Sequence, residues 1–480
     1  MIPQTVSNLV TLLSSHGAKA YLVGGAVIDM RREQVPKDWD IEVHGISMDK
    51  LEGILEELCP KQCGQSFGIF KLPSAMMNGL DIDISIPRRE SSIGTSHTDF
   101  LCDFDPDMTP EEAARRRDFT INAMFYDIAT GEIVDPYGGL KDLKDGVLRM
   151  TCPEKFIEDP LRALRAMQLV ARKCKVVDPE TTETIRGMVD SFGSIARERI
   201  YEEFKKLLLM ADKPSVGLTF LKECGWLACF PELYDLAYWP GWEEKENWQF
   251  KGQFDEGCPH NPEWHPEGNV WIHTLHVVDN AASVRELIPE EDRLAFMFGA
   301  LLHDVGKAAT TVLPICGAIG HDKIGVDISC SFLDRMTNEK KVIETVSNLV
   351  HYHMQPWGRR EAKDGSWKRL HSAMNERLDL LGWFSRCDWA GRPERSPWPT
   401  TEKGEDFDHV PSKLCFQWHE DLGIEPIKKV LMGRHLKDAG LKPGPEFTPR
   451  LDAAFEAQLD DPELTRPELL EIAINFKPKK

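Results

Sequence analysis

At 480 residues the chain is too long for one ordinary core and has room for two to four domains. An apolar fraction of 41% is enough to build globular domains, while a net charge of −20 argues against coating nucleic acid by bulk electrostatics. No apolar run reaches the roughly eighteen residues needed to cross a bilayer.

The N-terminus, Met1 to Val10, shows no basic patch ahead of an apolar stretch, so a signal peptide is not expected and the reading is a soluble, cytoplasmic protein. The 12 cysteines are scattered without a C-x-x-C pair. Their nearest spacings, Cys59/Cys63 and Cys224/Cys229, suit neither a zinc ribbon nor a disulfide-stapled mini-domain. Charge is uneven along the chain. From Glu232 to Ala300 there are 14 acidic and 4 basic residues, whereas Lys141 to Met210 holds 12 acidic and 14 basic. A local basic surface is therefore possible in the N-terminal half.

In chain order, Val6–Leu13 reads as an amphipathic helix and Ala20–Val23 as a strand running into Gly24-Gly25. Ile41–Val43, Ile69–Leu72, Ile82–Ile86 and Ala123–Tyr126 are further short strands, with a helix over Leu51–Leu58. This is an α+β pattern with irregular strand order rather than a βαβ repeat. From about Pro153 onward helical periodicity dominates, most clearly at Leu161–Arg172, Ile200–Met210, Leu294–Leu302 and Val342–His351. Ala237–Asn269 reads as a Trp-, Pro- and Glu-rich loop between helical units. A second loop-like stretch, Gly391–Val410, precedes a final helical region.

Asp38-Trp39-Asp40 on a strand places two carboxylates on one face, where they can share a divalent cation. Gly24-Gly25 lets backbone amides approach a triphosphate closely. Leu80-Asp81-Ile82-Asp83 supplies candidates for a further acid from a neighbouring strand, completing a two-metal site for phosphoryl transfer. A solvated acidic strand end is the bland alternative. Arg115-Arg116-Arg117-Asp118-Phe119-Thr120-Ile121-Asn122 gathers three guanidinium groups suited to phosphate and ribose oxygens. Asp135-Pro136-Tyr137-Gly138-Gly139 and Glu158-Asp159-Pro160-Leu161-Arg162-Ala163-Leu164-Arg165 follow.

These motifs, in this order from about residue 20 to 210 and including Glu198-Arg199-Ile200, resemble the class II tRNA nucleotidyltransferases (CCA-adding enzymes) and the related bacterial poly(A) polymerases. The resemblance implies a polymerase-β-like head over 1–150, then a helical neck and body over 151–236 that selects nucleotides and binds RNA. It implies that Asp38 and Asp40 bind catalytic Mg2+, with Asp83 as the facing acid. Arg116, Arg117, Asp118 and Asn122 would hold the ribose and phosphates of the incoming nucleotide. One position departs from the family's G-G-x-V-R-D: Ile28 stands where arginine is usual, and Arg31 or Arg32 are the nearby substitutes.

Asp159 and Arg162 are three apart at the start of an expected helix, with Pro160 in its first turn. A carboxylate accepts from an exocyclic amine and a guanidinium donates to a bare ring nitrogen, a pairing that fits cytosine and adenine but not uracil or guanine. Glu158 would orient Arg162 through an i,i+4 ion pair, and Arg165 joins the nucleotide-binding set. Acids at a helix start are equally natural caps.

Of the 15 histidines, 8 fall between His260 and His353. His273 opens one expected helix, and His303-Asp304 sits on another. With Asp388 they resemble the H…HD…D pattern of the HD superfamily of metal-dependent phosphohydrolases, expected over 258–400. His273, His303, Asp304 and Asp388 would hold a divalent metal of unspecified identity. His321, His351 and His353 are candidates for a second metal or a phosphate, and His276 reads as a packed or capping residue. Some CCA-adding enzymes carry such a domain after a segment like Pro262-Glu263-Trp264-His265-Pro266-Glu267, relative to which Tyr238–Gly257 looks like an insertion. Residues 401–480 form a helical region of unassigned role, with Trp418 read as core and Arg434 as surface.

The expected activity is addition of CMP and AMP to the 3′ end of tRNA from CTP and ATP, the tRNA being read by shape, with phosphodiesterase or phosphatase activity in the HD part. A-only or poly(A) addition is the related alternative. A hydrolase with a degenerate RNA-binding head is the distant one. No membrane partner is expected, and the oligomeric state is left open.

Overall fold

A computed structural model describes residues 2–36, 38–58, 61–63, 68–92, 100–245, 256–392 and 409–477. It divides into two compact units, Met1–Cys229 and Phe230–Lys480. The first unit takes in 1–150 and the following residues as far as Cys229, so the last seven of 151–236 fall in the second. Among the described residues no helix is long and apolar enough to cross a membrane. Cys59 lies outside the described residues, as do 246–255 of the expected insertion and 393–408 of the second loop.

The first unit is built on a seven-stranded sheet. Its strands are β1 (Lys19–Val23), β2 (Asp38–His44), β3 (Lys61–Cys63), β4 (Ile69–Leu72), β5 (Asp81–Ser85) and two later ones. A separate hairpin pairs β6 (Arg88–Ser92) with β7 (Phe100–Phe104), and the chain returns through β8 (Phe125–Asp127) and β9 (Ile133–Val134). The spatial order is β3-β4-β5-β2-β1-β8-β9, with only β2 and β5 parallel. Alternation explains the placement. Trp39, Ile41 and Val43 of β2 and Ile82 and Ile84 of β5 are buried, so Asp38, Asp40 and Glu42 lie on the opposite face of the sheet. Helix Gln4–Ser15 buries Val6, Leu9, Val10 and Leu13.

Beyond the sheet, the amphipathic helix Leu161–Arg172 buries Leu161, Leu164 and Met167, and Arg197–Met210 buries Ile200, Phe204, Leu207 and Leu208. The expected helix at Leu51–Leu58 is Met48–Leu55, capped by the Ser47 side chain and closed by a 3₁₀ turn to Leu58. Asp135 accepts from the backbone of Gly139 and Leu140 at 2.7 and 2.9 Å. Gly138 adopts φ +74°, and a Cβ at Gly139 would fall on the Thr120 carbonyl. The D-P-x-G-G motif therefore braces the arginine-rich segment from behind.

The second unit is helical. Its main helices are Val270–Val284, Glu290–Leu302, His321–Asp334, Lys340–Tyr352, Asp364–Ala373, Leu378–Ala390 and Val410–Leu422. A smaller cluster of Leu431, Leu436, Ala454, Leu469 and Ala473 closes the C-terminal helices. The Trp-rich stretch is not a loose connector. Trp239 and Trp242 are buried and donate their indole N–H groups to Ala308 and Gly257. Trp418 stacks on Trp367 and Arg434 is exposed.

Substituting Gly139 tests the brace. Gly139→Ala is expected to lose about 1–3 kcal/mol of stability, read by urea denaturation, because backbone and not a mobile side chain must yield. An unchanged denaturation midpoint would show that the segment has room to move.

Candidate active sites

In the first unit, parallel pairing sets Asp40 opposite Asp83 and Asp38 opposite Asp81. Asp38, Asp40 and Asp83 line one face of a cleft of about 1010 Å³, and Gly24 and Gly25 line it at the end of β1. Burial, then the neighbouring carboxylate of Asp83, and further Asp38, push the Asp40 carboxyl above its ordinary range against the pull of Arg117. Lys71 pairs with Asp83 at 3.0 Å. Converging carboxylates that disfavour the buried Asp40 anion are what a divalent cation relieves, so these residues fit such an ion.

Arg116, Arg117, Asp118 and Asn122 line the same cleft. Glu42, overlooked in the sequence although it continues the two-residue spacing of Asp38 and Asp40, holds the arginines. It is 1% exposed and lies 2.9 Å from Arg117, 3.5 Å from Arg116 and 3.1 Å from His44. Burial would raise its carboxyl, but Arg117, His44 and Arg116 outweigh this and hold it down at about 2. Asp118 is engaged with Arg165 at 2.9 Å and with Asn122 at 3.0 Å. It braces the cleft wall from within.

Asp159, Arg162 and Arg165 also line this cleft. Arg162 donates to the carbonyls of Lys155 at 2.6 Å and Arg116 at 2.8 Å, and stands over the Phe156 ring. Asp159 is held by Arg199 at 2.8 Å. Arg199, part of the noted Glu198-Arg199-Ile200 match but given no role there, is the residue that orients it. The expected Glu158–Arg162 pair is not formed. The helix begins at Leu161, with Pro160 as its cap and not in its first turn. Glu158 therefore precedes the helix, out of helical spacing, and pairs with Lys155 at 2.6 Å. Ile28 is 1% exposed in the core, and Arg32 is spent on the carbonyls of Arg172 and Lys173. Neither Arg31 nor Arg32 lines the cleft.

In the second unit, His273 stands in the first turn of Val270–Val284 and Asp388 in Leu378–Ala390. His303-Asp304 does not sit inside a helix as expected. Glu290–Leu302 ends there, with His303 as its cap, and both side chains are buried. His273, His303 and Asp388 form one group of ligand-type atoms, and Asp304, His321 and His353 a second. His351 belongs to neither and packs on the Tyr352 ring. His276 faces the Gly391 carbonyl at 3.1 Å.

Three of these histidines share one device. His303, His321 and His353 each direct Nδ1 at the carbonyl three residues back, Ala300, Ala318 and Val350, at 3.0, 2.7 and 2.7 Å. A carbonyl only accepts, so Nδ1 carries the proton and Nε2 presents a lone pair. The Nε2 atoms of His321 and His353 lie 3.1 Å apart and 3.5 and 3.7 Å from Asp304 Oδ1. His303 Nε2 has no hydrogen-bond partner among the described residues. Burial, aided by His321, lowers His353 to about 4. Buried acceptors facing acceptors and a carboxylate are unfavourable unless a cation joins them, so this donor set fits a divalent metal.

The depressed carboxyl of Glu42 gives a pH test. Its ion pairs contribute stability that is fully present above pH 4.5 and is lost as pH falls toward about 2. The stability gap between wild type and Glu42→Gln, on the order of 3 kcal/mol at neutral pH, is expected to shrink as urea denaturation is repeated at progressively lower pH. A gap that stays constant would show that Glu42 carries no charge in the fold.

Comparison with known proteins covers both units. Residues 20–149 match the poly A polymerase head domain, 176–236 the probable RNA and SrmB-binding site of polymerase A, and 270–388 the HD domain. The Multifunctional CCA protein of Pasteurella multocida is 32% identical over 386 residues, covering 78% of this chain and 80% of the relative. That of Xanthomonas campestris is 33% identical over 383 residues, with 78% and 82% covered. Among solved structures, the Bacillus stearothermophilus CCA-adding enzyme in complex with CTP shares the fold at 20% identity. Its TM-score is 0.64, over 99% of this chain and 98% of that one. With identity above 30% across most of both sequences and both domain types in order, the chain belongs to the multifunctional CCA protein family.

Proposed function

We propose that the chain adds CMP and AMP to the 3′ end of tRNA from CTP and ATP, and that its HD part is a metal-dependent phosphohydrolase. The relatives are named multifunctional CCA proteins. Solved neighbours in fold include a Thermotoga maritima CCA-adding enzyme complexed with tRNA. The observation that carries the reading is the sharing of one cleft by the Asp38, Asp40 and Asp83 carboxylates, the Arg116–Arg117 pair and the Asp159–Arg162 pair.

Asp38 and Asp40, with Asp83, would hold Mg2+, which supplies activation of the terminal 3′-hydroxyl and charge stabilisation for departing pyrophosphate. Arg116 and Arg117 receive the triphosphate, and the amides at Gly24 and Gly25 approach it closely. Base choice falls to Asp159 and Arg162. A carboxylate offers several acceptor sites, so Asp159 can take an exocyclic amine proton while remaining on Arg199. Each terminal nitrogen of Arg162 keeps a second N–H after donating to its carbonyl. Cytosine and adenine satisfy both groups, whereas uracil and guanine set carbonyl against carboxylate and N–H against N–H. In the second unit, His273, His303, Asp304 and Asp388 would hold a divalent cation, which supplies a hydroxide for attack on a phosphate ester.

The direct test supplies tRNA lacking its 3′ terminus with magnesium and CTP, ATP or both. Addition of two C and one A is expected. ATP-only extension would point to A-addition, and no extension would favour a hydrolase with an inactive head. Arg162→Ala is expected to relax the preference of CTP over UTP by about 10²-fold or more, and Arg199→Ala to relax it partially by releasing Asp159. Undiminished discrimination in Arg162→Ala would refute the base-selection role. Asp40→Ala should abolish addition while sparing phosphohydrolysis, and His303→Ala the reverse, each measured on the same preparation.

A further inference from the structure

The segment leading into the His273 helix contains a second feature that the site description does not use. Glu267 has a side chain with no solvent exposure. Its Oε1 lies 2.7 Å from His273 Nδ1 and 2.8 Å from His265 Nδ1. The opposite nitrogen of His273, Nε2, faces Asp388 at 2.9 Å. His260, His265 and Glu267 also lie close enough together to suggest a metal group of their own. However, the His260 and His265 rings stack at 3.8 Å with 30° between their planes. Lone pairs in the planes of stacked rings run side by side and do not converge on one ion.

We infer that Glu267 is a positioning residue for the HD metal centre, fixing the tautomer and basicity of the His273 ligand through Nδ1. Two observations carry this. First, His303, His321 and His353 each rest Nδ1 on a carbonyl three residues back. The corresponding carbonyl for His273 is that of Val270, which the Thr274 hydroxyl occupies at 2.9 Å. His273 is thus the one ligand of this set oriented by a full negative charge. Second, a neutral imidazole has a single N–H. With that proton held on Glu267, Nε2 is left as a lone pair on the side shared with Asp388 and His303. A carboxylate behind the ring makes that lone pair a stronger donor than a carbonyl does. His265, sharing Oε1, keeps the Glu267 side chain from rotating away.

This inference rests on the reading of the second unit as a metal site, and the experiment separates the two. Full-length protein is stripped with EDTA and titrated with Co2+. The visible absorption of the imidazole-ligated ion is followed as the difference from His303→Ala, which removes contributions from the first unit. Glu267→Ala is expected to weaken Co2+ binding about 10- to 100-fold, and Glu267→Gln, which keeps an acceptor but not the charge, by less. Nucleotide addition to tRNA should stay at the wild-type value in both variants, and Glu267→Gln should keep the wild-type melting temperature in EDTA. Equal Co2+ affinity and spectrum in all three proteins would overturn the role of Glu267 while leaving the metal site standing. Loss of addition or of folding alongside affinity would make Glu267 structural and also overturn it. A wild-type spectrum indistinguishable from that of His303→Ala would remove the metal site itself, and the inference with it.

Discussion

The first unit depends on one pairing, the parallel register of β2 with β5. Parallel strands align without the offset of a hairpin, so Asp40 and Asp83 become neighbours although 43 residues separate them in the chain. Their apolar partners on the other face bury the sheet. The carboxylates are thereby forced together on the cleft side, where Asp83 and Asp38 add to the burial that disfavours the Asp40 charge. Slipping β5 by a single residue would send Asp83 to the core face and put Ile82 or Ile84 in the cleft. The burial of those isoleucines is therefore what keeps the acids in place. The remaining cleft residues are supports to this face, with Glu42 holding the arginines and Arg199 holding Asp159.

The second unit reaches a similar end by different means. Helices that stop at Leu302 and Tyr352 leave His303 and His353 on their last turns, where carbonyls lack helical partners. An imidazole there both satisfies an orphan carbonyl and is turned inward by it. His321, at the start of its helix, uses a turn carbonyl in the same way. Backbone groups that would otherwise need solvent become the orienting shell of the site.

Much of this was legible from sequence because it rests on spacing. The alternation at Asp38-Trp39-Asp40, the 3.6-residue period of Leu161–Arg172 and the histidine-rich pattern each dictate local geometry. What escaped was set by tertiary contact. Glu42 is not legible as a site residue, since nothing nearby in the chain shows that Arg116 and Arg117 pack against it. Helix ends were also misjudged. Glu158 was assigned a helical neighbour although the helix starts after it, and His303-Asp304 was put inside a helix that stops just before. Both errors arise where capping, not periodicity, decides the backbone. Composition reads Trp239 and Trp242 as loop residues, whereas their indole nitrogens reach the Ala308 and Gly257 carbonyls.

The buried Ile28 and the Glu42 clamp together alter the charge ledger of the nucleotide cleft. Ile28 brings no charge to the cleft, and Arg116 and Arg117 share the buried anion of Glu42. Part of the charge that this pair offers a triphosphate is thereby already neutralised. The ions that escort the nucleotide would supply part of the balance, which would couple substrate capture to the free divalent concentration around the protein. Such a cleft would act as a conditional receptor, filling with nucleotide when divalent cation is plentiful and emptying as it is withdrawn.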